Sequence, residues 1–213
     1  MINFLISNTN RSLEYVKHVI ENKKIEIGFV LLYTKEKNPK IIFLLKKLKN
    51  DLKIYHIKLN NIDKIKIKKY LKINNYKYVV SCYPGEIVRN NELLKLKLIH
   101  CHPGDLPLFG GSTPIYYGLI LKNKICVTIF EMNKYIDRGK IIFKKFFTKP
   151  RDIQTIENKY VDKIRAKALC SYLNLKKINK LNKFKKYKKN KYMNYYIAHP
   201  VIRNIVLNKN IFT

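Results

Sequence analysis

Strand-like and helix-like segments alternate four times in the first 82 residues of this chain. Short apolar runs rich in β-branched residues predict buried strands, and apolar residues at helical spacing predict helices between them. The predicted strands are Asn3–Ile6, Ile25–Tyr33, Leu52–Ile57 and Tyr78–Cys82. Helices are predicted from Ser12, from Pro39 and over Ile62–Ile73. Because this alternation is typical of βαβ units, it predicts an α/β fold with a doubly wound, mostly parallel sheet.

The pattern continues after residue 82. Further strands are expected at Lys97–His102, Ile125–Met132 and Lys140–Phe147. The last of these could return antiparallel to its neighbour. Thr113 and Pro114 are an N-cap and first residue for a helix Pro114–Lys122. A long helix should follow Pro150, then a solvated or mobile lysine-rich stretch at Lys176–Lys191 and an apolar closing segment that docks back. We therefore predict an α/β domain at residues 1–150 and a short C-terminal helical and basic extension at 151–213 that packs on it.

Composition narrows the class of protein without naming a partner. The formal charge is +31, yet only six cations are Arg, and specific nucleic-acid contacts favour Arg. AT-rich codon usage explains the Lys excess better, which leaves a nucleic-acid partner open but not favoured. The four cysteines form no CxxC pair, which indicates reduced thiols and a cytoplasmic protein. No apolar run approaches the ~18 residues that cross a membrane, so no membrane partner is expected. The sequence leaves open whether the protein forms a homodimer.

One stretch, Ile99–Leu121, differs chemically from the rest of the chain. It has no lysine and a single acid, Asp105, and most of the chain's Gly and Pro residues lie in or near it. His100 and His102 are two apart on a predicted strand, so their side chains leave the same face. Asp137, in the turn Tyr-Ile-Asp-Arg-Gly, could approach the same edge of the sheet. A carboxylate beside an imidazole orients the ring and raises its pKa, as general acid–base catalysis requires.

The order of four short motifs in roughly residues 78–147 points to a family. The chain reads His-Cys-His-Pro-Gly-Asp-Leu-Pro at 100–107, Gly-Gly-Ser-Thr-Pro-Ile at 110–115, Val-Thr-Ile at 127–129 and Ile-Asp-Arg-Gly at 136–139. This order and spacing resemble the amino-terminal, catalytic domain of the formyltransferases that use 10-formyltetrahydrofolate. In that family an Asn-x-His-Pro motif at a strand edge precedes a Gly-Val-Thr-like strand and a Leu-Asp-x-Gly turn. The resemblance implies a Rossmann-like formyltransferase domain.

The resemblance also implies site roles. His102 would be the catalytic histidine, stabilising negative charge that develops as an acceptor amine attacks the formyl carbon. Asp137 would tune His102 and order a water for proton transfer. Residues implied for the pocket of the co-substrate 10-formyltetrahydrofolate are Cys82, Tyr83, Pro84, Gly85, Glu86 and Ile87. Residues implied for the acceptor are Gly111, Ser112, Thr113 and Tyr116.

Two departures from the family pattern leave alternatives open. His100 occupies the position of the third catalytic residue of the family, an Asn, and Cys126 stands where Gly is usual. An imidazole can donate one hydrogen bond to the oxyanion, so His100 would keep the role, or the chain would be a slowed enzyme or a binding protein. Two imidazoles and a carboxylate also suit zinc, but the family chemistry needs no metal.

Near the N-terminus, the turn Ser7–Ser12 lacks the glycines with which ribonucleotide-formylating relatives hold a phosphate. Arg11 and Ser12 could still bind an anion there, although an ordinary N-cap is the simpler interpretation.

The acceptor is the least determined part of the prediction. Too few residues follow Thr148 for the extra β-barrel domain of the tRNA enzymes, and the missing glycines count against glycinamide ribonucleotide. A small amine, phosphorylated or nucleotide-linked, is therefore the expected acceptor, with a nucleotide-linked amino sugar first. The alternatives are a methionyl-tRNA formyltransferase of reduced size and a non-catalytic folate- or nucleotide-binding relative.

Overall fold

Seven strands form one sheet in the computed structural model, which describes residues 1–66, 77–83, 85–150, 155–177, 194–195 and 197–208. The strands of this sheet are β1 Ile2–Ser7, β2 Ile27–Tyr33, β3 Ile54–Ile57, β4 Lys77–Ser81, β5 Lys97–His102, β7 Ile125–Glu131 and β8 Lys140–Phe147. Their order is β3-β2-β1-β4-β5-β7-β8. The first five are parallel, whereas β7 and β8 run antiparallel to their neighbours. The predicted doubly wound, mostly parallel sheet is confirmed.

Six helices and a small second sheet complete the described chain. The helices are α1 Asn10–Glu21, α2 Lys40–Leu48, α3 Asn91–Leu94, α4 Pro114–Lys122, α5 Val161–Lys177 and α6 Pro200–Leu207. The second sheet pairs β6 Gly110–Gly111 with β9 Asn194–Tyr195 in parallel. No helix in this part of the chain is long and apolar enough to span a bilayer.

Side chains of the central strands feed two cores, one on each face of the sheet. Because successive residues of a strand point to opposite faces, Phe4 and Ile6 lie in the larger core and Leu5 in the smaller. The larger core receives the apolar faces of α1, α2, α4 and α5, and the smaller one receives α3 and the turn at Ile62. At about 25 cal/mol per Å² of buried apolar surface, these cores supply most of the drive to fold.

The predicted helix Ile62–Ile73 is wrong at its start. Ile62–Lys64 forms a single 3₁₀ turn, and residues 67–76 lie outside the described part of the chain. The Asn61 side chain caps this turn by accepting a hydrogen bond from Asp63 N at 2.8 Å. The Asp63 carboxylate then accepts from the backbone N–H of Arg89 at 2.8 Å. These side-chain contacts to a distant loop hold the turn where helical periodicity alone predicted a longer element.

The chain after residue 150 returns to the sheet. A wide π-type turn at Ile156–Tyr160 leads into α5, whose inner face packs on α1 and β5. Ile156, Ile164 and Ala168, which recur at multiples of four residues, are buried. Most of the lysine-rich stretch lies outside the described residues, and the predicted division at residue 150 stays a prediction. The closing segment docks as expected, because α6 contacts α4 and Val206 is buried.

Candidate functional site

A cavity of about 570 Å³ opens where β4 and β5 end. Crevices outside the carboxyl ends of parallel strands are the usual ligand sites of such sheets. Eleven of the residues predicted for the site line this cavity: Cys82, Tyr83, Gly85, Glu86, Ile87, His100, His102, Gly111, Ser112, Thr113 and Asp137. Pro84 lies outside the described residues, and Tyr116 is buried behind the wall. One cavity therefore brings together side chains that are 55 positions apart in sequence, from Cys82 to Asp137.

His102 is the last residue of β5, and a threonine on the neighbouring strand fixes the loop that follows it. The Thr128 hydroxyl donates to Gly104 O at 2.6 Å and accepts from Leu106 N at 3.1 Å. A side chain at Gly104 would overlap the Phe109 carbonyl and place Cβ 2.7 Å from His102 Nε2. The small residue lets the loop fold back against the ring, so the Pro-Gly turn positions the histidine.

Asp137 reaches the histidine from the turn that joins β7 and β8. Its backbone is left-handed, with φ +52°, and the Asn133 side chain braces the turn by donating to Arg138 O at 2.9 Å. Asp137 Oδ1 lies 3.4 Å from His102 Nδ1, and Oδ2 accepts from Gly111 N at 2.7 Å. The Gly111 amide thus fixes the carboxylate that faces the ring.

The ring of His102 lies between two acceptors. Its Nε2 is 2.9 Å from Phe109 O, and its Nδ1 faces the Asp137 carboxylate. A neutral imidazole has one N–H and can satisfy only one of them, whereas the imidazolium donates to both. Burial lowers the pKa of His102 from its ordinary value, and Asp137 opposes that shift. A proton that reaches this pair can therefore be held between Nδ1 and the carboxylate.

His100 presents an acceptor to the cavity instead of the donor expected from the sequence. Its Nδ1 lies 3.3 Å from the carbonyl oxygen of Val80, which can only accept, so Nδ1 carries the proton. The ring packs edge-to-face on Phe130 with centroids 5.8 Å apart. Burial, with Arg165 and Arg11 adding, holds the pKa of His100 well below its usual value. The ring is neutral, and Nε2 bears a lone pair.

The side chain of Glu86 holds the loop that the family resemblance implies for folate. The Glu86 carboxylate accepts from the Tyr33 hydroxyl at 2.6 Å, from Ile62 N at 2.6 Å and from Tyr83 N at 3.3 Å. Burial raises the pKa of Cys82 to about 12, so this thiol is un-ionised. What this wall offers a ligand is therefore backbone and apolar surface, with Glu86 as an internal brace.

Two residues predicted for the acceptor have structural contacts. Thr113 precedes α4 with a left-handed φ of +50° and makes no side-chain cap; its hydroxyl instead accepts from Ala198 N at 2.8 Å. The predicted helix start, with Thr113 as N-cap and Pro114 as first residue, is confirmed, and the Thr113 hydroxyl contacts the docked closing segment instead of the helix. Tyr116 lies behind the wall, with the Arg203 guanidinium 5.7 Å from its ring. It supports a cavity residue instead of lining the cavity.

Sequence reasoning missed the charged wall that α5 and α6 supply. Glu157, Asp162, Arg165 and Arg203 line the cavity together with Arg11. The three arginines could have been recognised from the sequence, because an Arg is unusual in a chain whose cations are nearly all Lys. Among the described residues, no group of three or more His, Cys, Asp or Glu side chains is arranged to hold a metal ion.

Comparison with known proteins identifies the fold. No family model matches the chain. Glycinamide ribonucleotide transformylase 1 from Symbiobacterium toebii superposes with a TM-score of 0.63 at 12% identity, covering 87% of this chain and 92% of the other. A sugar N-formyltransferase from Shewanella sp FDAARGOS_354 gives 0.61 at 18% identity, covering 97% and 86%. The chain has the formyltransferase fold.

A curated relative agrees with that assignment over part of the chain. The methionyl-tRNA formyltransferase of Ehrlichia canis (strain Jake) is 33% identical over 103 residues, which are 47% of this chain and 32% of the relative. The match thus spans about a third of the relative's length. The resemblance to formyltransferases expected from the motifs is confirmed. Because proteins with this formyltransferase fold act on different acceptors, the fold leaves the acceptor unassigned.

Proposed function

We propose that this chain is an N-formyltransferase that moves a formyl group from 10-formyltetrahydrofolate to a primary amine of a small, nucleotide-linked amino sugar. The proposal rests on one observation: the buried His102 and the half-buried Asp137, 3.4 Å apart, meet at the wall of a large cavity at the carboxyl ends of the strands. A proton-holding pair at such a place suits acyl transfer to an amine, which must lose a proton as it becomes an amide.

The cavity suits a folate donor. Its volume of about 570 Å³ lies within the usual range of about 300–1,000 Å³ for small-molecule sites. Phe130, Met132 and Ile136 give it apolar surface, as a pterin ring requires. One solved neighbour, a sugar 3N-formyl transferase with a TM-score of 0.53 at 19% identity over 92% of this chain and 70% of its own, was determined in the presence of dTDP and 5-N-formyl-THF. That neighbour supports both halves of the proposal, the folate donor and the nucleotide-linked acceptor.

The residues of the chain divide the work. The bound donor supplies the formyl carbon. His100 Nε2 accepts a hydrogen bond from the acceptor amine and turns the nitrogen lone pair toward that carbon. The His102–Asp137 pair takes the proton that the amine loses, since only the protonated ring satisfies both the carboxylate and Phe109 O. As the bond between the formyl carbon and the folate nitrogen breaks, the pair passes that proton to the departing nitrogen. Burial of His102 keeps bulk water away from the ring that takes the proton.

The test is a formylation assay on purified protein. 10-Formyltetrahydrofolate is mixed with a panel of amines, including nucleotide-linked amino sugars, glycinamide ribonucleotide and methionyl-tRNA, and the formylated product is measured by mass spectrometry. We expect turnover with an amino sugar that falls at least a hundredfold in His102→Ala and Asp137→Ala. His18→Ala, in the last turn of α1 and not among the residues that line the cavity, is the control. Folate binding with no turnover on any amine would instead show a non-catalytic relative.

A second candidate is formylation of methionyl-tRNA. The 33% identity to a methionyl-tRNA formyltransferase favours it, and so does the formal charge of +31. A protein that releases counterions from tRNA loses affinity steeply as salt rises. Turnover of methionyl-tRNA, with binding that weakens at least a hundredfold between about 50 and 200 mM salt, would select this candidate. A shallow salt dependence would reject it.

A further inference from the structure

Arg165 is a buried cation with unused donors at Nε and Nη1. It lies on α5, is 8% exposed and lines the cavity. Its Nε and Nη1 atoms are shielded from solvent and have no hydrogen-bond partner among the residues that the structure describes. Buried polar groups are nearly always hydrogen-bonded, so an exception calls for a cause. A guanidinium with two unpartnered nitrogens, which carry three N–H groups, at a cavity wall indicates a ligand group that completes it.

The charges around Arg165 leave positive charge in excess. The groups that act on it electrostatically are Arg11, Tyr15, Asp162 and Cys101. Asp162 is the one carboxylate in that set, and its Oδ1 already pairs with Arg11 Nε at 3.3 Å. Burial keeps the Tyr15 hydroxyl and the Cys101 thiol protonated by raising the pKa of each. Two arginines therefore share one carboxylate.

The two histidines nearby do not neutralise that excess. Both arginines disfavour a charge on His100, and Arg165 also disfavours one on His102. Arg165 lines the same cavity as His100 and His102, so one bound ligand can contact all three residues. Arg11 and Arg165 come from α1 and α5, whereas the segment implied for folate follows β4. The positive charge therefore belongs to a different wall from the one assigned to the donor.

We propose that Arg165, assisted by Arg11, binds an oxyanion of the acceptor, a phosphate or a carboxylate, while the acceptor amine reaches His100. The assignment to the acceptor rests on the proposed function; the anion site does not. The guanidinium presents N–H groups in a fixed fork that matches two oxygens of a phosphate or carboxylate. In the absence of that anion, the Nε and Nη1 donors of the buried Arg165 have no hydrogen-bond partner among the described residues, and burying unpaired donors destabilises the fold.

The first test needs neither donor nor turnover. Melting temperature is measured with sodium phosphate, sodium acetate or sodium chloride at equal ionic strength. At phosphate about a hundredfold above its Kd, we expect wild-type melting to rise by roughly 5 °C or more over chloride. Arg165→Gln abolishes that rise. Arg89→Gln keeps it, because Arg89 is exposed, lies outside the cavity wall and carries the same charge. An equal response in both variants would overturn the proposal.

A second variant separates binding from folding. Arg165→Met removes the unpaired donors and keeps an apolar stem, so in chloride it should melt at or above the wild-type temperature. Melting well below wild type in chloride would show that Arg165 supports the fold, and the anion proposal would fail. If phosphate binds in wild type but no amine is formylated, the proposed function fails while the site stands.

Kinetics then identify the source of the anion. With an acceptor found active, matched analogues bearing a phosphate, a carboxylate or a neutral group are compared in wild type and Arg165→Gln. We expect KM to rise at least tenfold for the analogue with the matching anion, with kcat changed less than threefold and the neutral analogue unaffected. A fall in kcat at constant KM would place Arg165 on the reacting atoms and overturn the assignment to a ligand anion.

Discussion

Asp137→Asn tests whether the carboxylate holds the proton of His102. The substitution is nearly isosteric, and the amide oxygen can keep the Gly111 hydrogen bond at 2.7 Å. What it removes is the charge 3.4 Å from His102 Nδ1. At an effective dielectric constant of about 20, that charge is worth about 5 kcal/mol to the imidazolium. Because neighbouring charges usually shift a pKa by about 1–3 units, we expect a fall in that range for His102.

The assay follows His102 by NMR in protein labelled at histidine nitrogen, with urea unfolding as a second measurement. Because the pKa of His102 is already lowered in the folded protein, the unfolded chain takes up the proton first. Stability is therefore full above the ordinary value of about 6.5 and is lost as pH falls below it. In Asp137→Asn the loss of stability extends further toward acidic pH, because the pKa of His102 in the folded variant is lower still.

Turnover should fall about 10²–10⁴-fold in Asp137→Asn, the usual contribution of a positioned acid–base group. Asp51→Asn is the matched control, because that side chain is 82% exposed. An unchanged His102 pKa in Asp137→Asn would refute the electrostatic argument. Turnover within threefold of wild type would refute the catalytic role.

Other perturbations test the surrounding structure. Asp105→Ala should cost about 2–4 kcal/mol of unfolding free energy, because it strips Lys144 of a partner at 2.6 Å. Burial acts to raise the pKa of Asp105, but its hydrogen bonds to Lys122 and Lys144 outweigh burial and lower it. The stability that this carboxylate contributes is therefore present above about pH 4 and lost below it, which urea unfolding at a series of pH values measures. Asp105→Asn should remove that pH dependence. Gly104→Ala should reduce kcat at least tenfold, since its Cβ would press on the ring of His102. His100→Asn should stay within tenfold of wild-type turnover while His100→Leu loses at least a hundredfold, and a large gain in the Asn variant would show that the natural chain is impaired.

The convergence of His102 and Asp137 could be predicted from local signals. Strand periodicity placed His102 at the end of β5, and the turn residues around Asp137 placed it at the neighbouring edge. Parallel topology then brought both to one side of the sheet. Each inference used residues close in sequence, and each is insensitive to small errors in the boundaries of the elements.

The wall of α5 could not be predicted in the same way. Arg165 sits beside Ile164 on a helix whose apolar spacing indicated packing and nothing else. Which of its side chains face the cavity depends on how α5 docks on α1, a long-range contact. The contact of the Thr113 hydroxyl could not be predicted for the same reason, because its partner, Ala198, is 85 positions away. Contacts between residues so far apart in the sequence produce no periodic pattern from which they could be predicted.

The cavity has a consequence for the order in which the protein matures on the ribosome. A nascent chain that has emerged through β8 already carries His100, His102 and Asp137. It still lacks Arg165, Arg203 and the amide of Ala198 that pairs with Thr113. The wall proposed to bind the anion is therefore synthesised after the groups proposed for catalysis, and a translation product that stops early would carry the His102–Asp137 pair without that wall.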